Sequence, residues 1–155
     1  MPPGAPPGAR AIMDNRLFDE SYARLFGQAI AADESADPFF AAFYRRFLAD
    51  PDTRDLFRST DMHRQVIMLR KSFFHLAGFY VTHAPSGELE RMAHMHYRLG
   101  ISADHYDRWL DCLVATVAEC DPGCDQATEL AWRLALTPGI TFMKLYEYFR
   151  SERTS

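Results

Sequence analysis

The stretch LERMAHMHYRLGISADHYDRWL, residues 89–110, constrains the fold more than any other. On a helix, Leu89, Met92, His96 and Leu99 fall on a single apolar stripe with His96 in its middle. His94 lies on the other face, with Glu90, Arg91, Tyr97 and Arg98. Gly100 ends this helix as a left-handed cap, and Ser102 is placed to cap the next. The inner face of that next helix reads Tyr106, Trp109, Leu110, Leu113 and Val117. A histidine set into an apolar stripe has two readings. It is a core residue with a satisfied ring nitrogen, or it is a neutral imidazole offered to a metal in an apolar pocket.

Helical periodicity extends through the rest of the chain. Residues 1–13, rich in Pro and Gly, have little to pack and read as a disordered tail. From Asp14 or Asn15 as cap, Leu17, Phe18, Tyr22, Leu25, Phe26 and Ile30 form one stripe. Asp37-Pro38 opens a second helix with Phe40, Phe43, Tyr44, Phe47 and Leu48 inward, because a carboxylate caps and proline suits the first helical position. Asp50-Pro51 repeats the device for a short turn ending at Leu56-Phe57. A long helix from Met62 to Thr82 carries Met62, Val66, Leu69, Phe73, Leu76 and Tyr80, with Gln65 at the stripe's edge. Ser86 caps the His96 helix. After the Asp121-Pro122-Gly123 turn, a last helix to Arg150 presents Leu130, Leu134, Phe142, Leu145 and Phe149 inward, with a kink expected at Pro138-Gly139. Residues 151–155 read as a tail. No alternating strand or hairpin signal appears. The class is all-α: one domain over 14–150, with six major helices and a short turn.

Composition narrows the function. The chain is 155 residues long, enough for one core, and holds 12 Phe and 7 Tyr. Either that core is unusually aromatic or some rings line a pocket. The net charge of −4 comes without a basic stripe, so no nucleic-acid surface is expected. No apolar run is long enough for a membrane span, and no secretory signal is recognised. Cys112, Cys120 and Cys124 match no zinc spacing and read as reduced thiols of a cytoplasmic protein, although Cys120 and Cys124 flank one turn. Phosphate-loop, dinucleotide and zinc-protease motifs are missing.

Three segments then combine. His96, Gly100-Ile101 and His105-Tyr106 form one motif. Phe43-Tyr44, Leu48-Ala49-Asp50 and Asp55-Leu56-Phe57 form a second, and the run from Thr60 to Gln65 a third. In this order and spacing the chain resembles the globin family, specifically bacterial single-domain globins and the haem domain of flavohaemoglobins. The opening of the long helix is also similar to truncated globins.

The resemblance implies haem b between the Gln65 and His96 helices, with His96 as the iron ligand. It implies Tyr44 and Gln65 as the distal polar pair, Phe57 and Leu69 against the macrocycle, and Tyr106 and Glu147 as a chain behind His96. The match to Glu147 crosses Pro138-Gly139, a departure from that family's unbroken helix. Phe73, Met92 and Leu99 are expected to complete the apolar slot. Tyr44, Gln65, Tyr106 and Glu147 would then be the catalytic set, acting on oxygen, nitric oxide or another diatomic. A separate reductase would be needed for nitric oxide dioxygenase chemistry. The alternatives are a haem-based gas or redox sensor acting through a partner protein, and a haem-free scaffold. His63 is the residue to watch as an additional ligand. A homodimer is compatible with the resemblance, but no stripe in the sequence identifies the face.

Overall fold

The computed structural model describes residues 15–27 and 38–154, with side chains as far as Phe149. The tail 1–13, Ile30 and the Asp37 cap lie outside the described residues. Those residues form seven helices and no strand: α1 Arg16–Phe26, α2 Pro38–Phe47, α3 Pro51–Leu56, α4 Met62–Thr82, α5 Gly87–Arg98, α6 Ala103–Cys120 and α7 Gln126–Thr154. This is the expected set, with α3 as the short turn; α7 runs beyond Arg150, where the sequence placed its end. Among the described residues no helix is long and apolar enough to cross a membrane.

The boundaries follow from capping chemistry. The Asn15 side chain accepts from the Phe18 N–H and the Asp50 side chain from the Thr53 N–H. Ser86 accepts from the Leu89 N–H and Ser102 from the His105 N–H. His105 answers reciprocally, its Nδ1 accepting from the Ser102 N–H at 3.0 Å. Gly100 has φ of 75°, the left-handed conformation that stops α5 at little cost. Arg108 then clamps the α3 corner to α6, donating to Asp50 at 2.8 Å and to Thr53 at 2.9 Å.

The core is aromatic. Trp132 is fully buried, with the Phe18 ring edge-on at 4.6 Å and the Phe73 ring edge-on at 6.0 Å. Its indole N–H donates to Ser21 Oγ at 2.9 Å, and Ser21 donates to Asp121 at 2.6 Å. Arg24 donates to both Asp121 oxygens, at 2.6 and 2.9 Å. Burial pushes the Asp121 carboxyl up, but the Arg24 and Ser21 hydrogen bonds outweigh it and hold the group below the usual carboxylate range. Its contribution to stability is therefore full above about pH 4 and is lost as pH falls through the lowered value. Asp121→Ala is expected to cost about 2–3 kcal/mol, less than a fully buried pair because Arg24 reaches water. Urea unfolding at neutral pH and near pH 3 checks this: the mutant's deficit should shrink in acid, and a deficit of equal size at both would contradict the assignment.

The inward face of α7 differs from the sequence reading. Leu130, Leu134, Leu145 and Phe149 are 60, 44, 41 and 42% exposed. The buried face instead carries Ala131, Trp132, Ala135, Leu136, Ile140 and Met143. Small residues explain the choice. A Cβ on Gly139 would stand 2.7 Å from the Leu76 side chain and 3.1 Å from its Cα, so α7 lies on the α4 backbone where a leucine face could not. α7 also stays helical through Pro138. Gly139→Val should cost about 2 kcal/mol through overpacking, despite its better helix propensity. An unchanged urea midpoint would contradict this close approach.

Candidate functional site

A cleft of about 850 Å³, measured to its open mouth, lies among α2, α4, α5, α6 and α7. Its walls are mostly apolar. Phe57, Leu69, Met92 and Trp109 line it, and Ile140 and Met143 come in from α7. The polar groups on the lining are few: Tyr44, Gln65, Ser72, His96, His105 and Tyr106. Ser72 is already used, donating to the Leu69 carbonyl at 2.5 Å.

His96 is half-buried in this wall. Its Nδ1 stands 2.7 Å from the Met92 carbonyl oxygen. A carbonyl only accepts, so Nδ1 carries the hydrogen and Nε2 keeps the lone pair. Burial lowers the imidazole pKa, partly offset by that hydrogen bond, so the ring is held neutral. The Tyr106 ring lies nearly parallel to it, with centroids 5.9 Å apart at 29°. His96 is thus oriented and deprotonated as a metal ligand requires.

Tyr44 comes from α2 and is buried, and its Oη has no hydrogen-bond partner. Such an atom costs about 1–3 kcal/mol when left unsatisfied. Burial drives the phenol's pKa above its ordinary value, and the nearby Gln65 amide offsets part of this. The two side chains are neighbours that fall short of hydrogen-bond geometry with each other. Two donors therefore converge on the cleft without consuming one another.

The structure brings Tyr44, Phe57, Gln65, Leu69, Met92, His96 and Tyr106 to this one cleft. Three expected residues are elsewhere. Leu99 is 66% exposed, because it is the C-cap of α5 and the chain turns away there. Phe73 is fully buried behind the wall, its ring 6.1 Å from that of Phe26 and 6.3 Å from that of Trp109. Glu147 is exposed and off the cleft, and the Nδ1 hydrogen it was expected to influence is donated to Met92 instead. His63 is likewise exposed and off the lining. His94, which the spacing puts on the face away from His96, is half-buried with Nδ1 3.0 Å from Tyr146 Oη. Sequence reasoning missed Ile140 and Met143, which the mistaken α7 register pointed away, and Phe47 and Leu76, read as core; His105 entered only as part of the His105-Tyr106 motif, with no place in the cleft assigned to it.

The donor set fits haem: one neutral imidazole, an apolar slot, and an orphaned phenol beside an amide. Residues 40–141 match the globin family, and the chain belongs to it. A Pseudomonas aeruginosa PAO1 protein, whose crystal structure is described as structurally highly homologous to a human hemoglobin, superposes with a TM-score of 0.74. The two are 34% identical over 87% of this chain and 97% of that one. None of the curated proteins matches the chain.

Proposed function

We propose that this globin binds haem b through His96, holds oxygen under Tyr44 and Gln65, and consumes nitric oxide with electrons from a separate reductase. The observation that carries the reading is the buried, unpartnered Tyr44 Oη beside the Gln65 amide, in the same cleft as a neutral His96. Haem iron, when bound, would supply the one electron with which nitric oxide and oxygen combine to nitrate, and the reductase would restore it. The chain's own residues set the conditions. Tyr44 O–H and Gln65 N–H donate to a ligand that gains negative charge, in a slot where low dielectric strengthens both bonds. Met92 fixes the His96 tautomer, and Tyr106 keeps its ring plane. Phe57, Leu69 and Trp109 exclude water that would compete for the donors. Three unbridged, partly buried cysteines support a cytoplasmic setting.

The test is a stopped-flow mix of the oxygenated ferrous protein with nitric oxide. Conversion to the ferric spectrum with one nitrate per haem is expected. A spectrum unchanged over seconds would contradict the dioxygenase reading while leaving haem binding intact.

A second reading has its own support. The acceptor on His96 Nδ1 is a neutral carbonyl rather than a carboxylate, which makes the ligand less basic and favours reversible binding. That suits a gas sensor signalling through a partner protein. Its mark would be a partner retained by one ligand state and released by the other.

A further inference from the structure

His105 is the polar group of the cleft lining that the proposed chemistry leaves without a task. Tyr44 and Gln65 are assigned to the gas and His96 to the iron. Tyr106 holds the His96 ring, and Ser72 is spent on the Leu69 carbonyl. The start of α6 fixes the tautomer of His105. The Ser102 backbone N–H donates to its Nδ1 at 3.0 Å, and Ser102 Oγ lies 2.8 Å from the same nitrogen. An amide N–H only donates, so Nδ1 is the acceptor and the ring hydrogen sits on Nε2. Closing the capping box therefore makes His105 a donor held in one orientation.

That donor stands at the mouth of the cleft. Leu56 and Met68 are the exposed members of the lining, at 44 and 45%. The Arg108 clamp holds the α3 corner against α6 one turn beyond His105, which brings Leu56 and His105 to the same end. His105 is itself half-buried, and Trp109, four residues on along the same helix face, carries the wall inward. Haem b bears two propionate carboxylates. A carboxylate without partners is far costlier in an apolar slot than in water, so the macrocycle enters with these groups toward the mouth. Resting on the haem reading above, we propose that His105 Nε2–H is the donor that receives a haem propionate there, and so fixes how the macrocycle is seated.

The capping and ligand-binding roles of His105 can be separated. Glutamate at the same helix position also completes a capping box, so His105→Glu should keep the helix content and urea midpoint of wild type. It also puts a carboxylate where the donor was. Two probes are loaded on the full chain: haemin, and haemin dimethyl ester, whose carboxylates are masked. Their loss is followed by transfer to a scavenging apoprotein. From wild type the ester should leave faster than haemin. His105→Glu should speed haemin loss about tenfold, the low end for a hydrogen bond to a charged group because the mouth is open to water, and should leave ester loss unchanged. Haemin loss unchanged in His105→Glu, or haemin and ester accelerated alike, would overturn the assignment and leave His105 a helix cap. A wild-type chain that takes up neither probe would overturn the haem reading together with it.

Discussion

His96→Ala is expected to release haem at least about 100-fold faster than wild type, the upper end of what losing a group that merely supports a ligand costs. The reasoning starts from the proton. Nδ1 is committed to the Met92 carbonyl at 2.7 Å, so Nε2 is the only ring nitrogen with a lone pair. Alanine removes that lone pair and leaves a gap beside the Tyr106 ring. Transfer of haem to an excess of a scavenging apoprotein measures the rate. Free imidazole should fill the gap and slow the loss again. A haem-loss rate within a factor of about two of wild type would mean that the iron finds its ligand elsewhere, since even a factor of ten is only about 1.4 kcal/mol.

Tyr44→Phe should act in opposite directions on the two states of the protein. In the haem-free chain the Tyr44 hydroxyl is buried with nothing to bond. Removing it should raise stability by about 1 kcal/mol, the low end of an unsatisfied group's cost. With ligand bound, the same hydroxyl donates to partial negative charge, which is worth about 1.5–3 kcal/mol. Oxygen release should therefore accelerate about 10- to 100-fold. Gln65→Leu should give a smaller acceleration, since Gln65 is only partly buried and its amide is less desolvated than the Tyr44 hydroxyl. Urea unfolding of the haem-free protein and flash photolysis of the oxygenated protein read the two effects. A Tyr44→Phe variant that is both less stable without haem and unchanged in oxygen release would make Tyr44 a packing residue.

The parts of the fold legible in the sequence were those written in local chemistry. Ser86, Ser102 and Gly100 mark where α5 and α6 start and stop because a hydroxyl cap and a left-handed glycine each have one place to act. His96 and Leu89 lie on the face that the spacing put them on. The same stripe misplaced Leu99, because periodicity does not know where a helix ends and the chain turns out into water. α7 defeated periodicity for another reason. It is apolar on two sides: Leu130, Leu134 and Leu145 face outward, while Trp132, Leu136, Ile140 and Met143 face the core. Among the core residues Ala131, Ala135 and Gly139 are small, and at Gly139 α7 closes on α4 at Leu76. Ile140 and Met143, which follow from that register, enter the cleft wall with it. Phe73 shows the complementary limit: a buried ring on the right helix face packs behind the wall against Trp132, and only the three-dimensional arrangement separates the two layers. The Glu147 chain rested on family spacing alone, with no local rule to support it.

His96, and no other histidine, is expected to hold haem iron in this cleft. Haemin titration of the wild-type chain, His96→Ala and His94→Ala, followed in the Soret region for ferric and ferrous protein, tests it most directly. Wild type and His94→Ala should bind one equivalent with the same spectrum, since His94 is engaged with Tyr146 away from the cleft lining, and His96→Ala should lose or grossly alter it. A wild-type chain that takes up no haem, or a His96→Ala variant with the wild-type spectrum, would contradict the account.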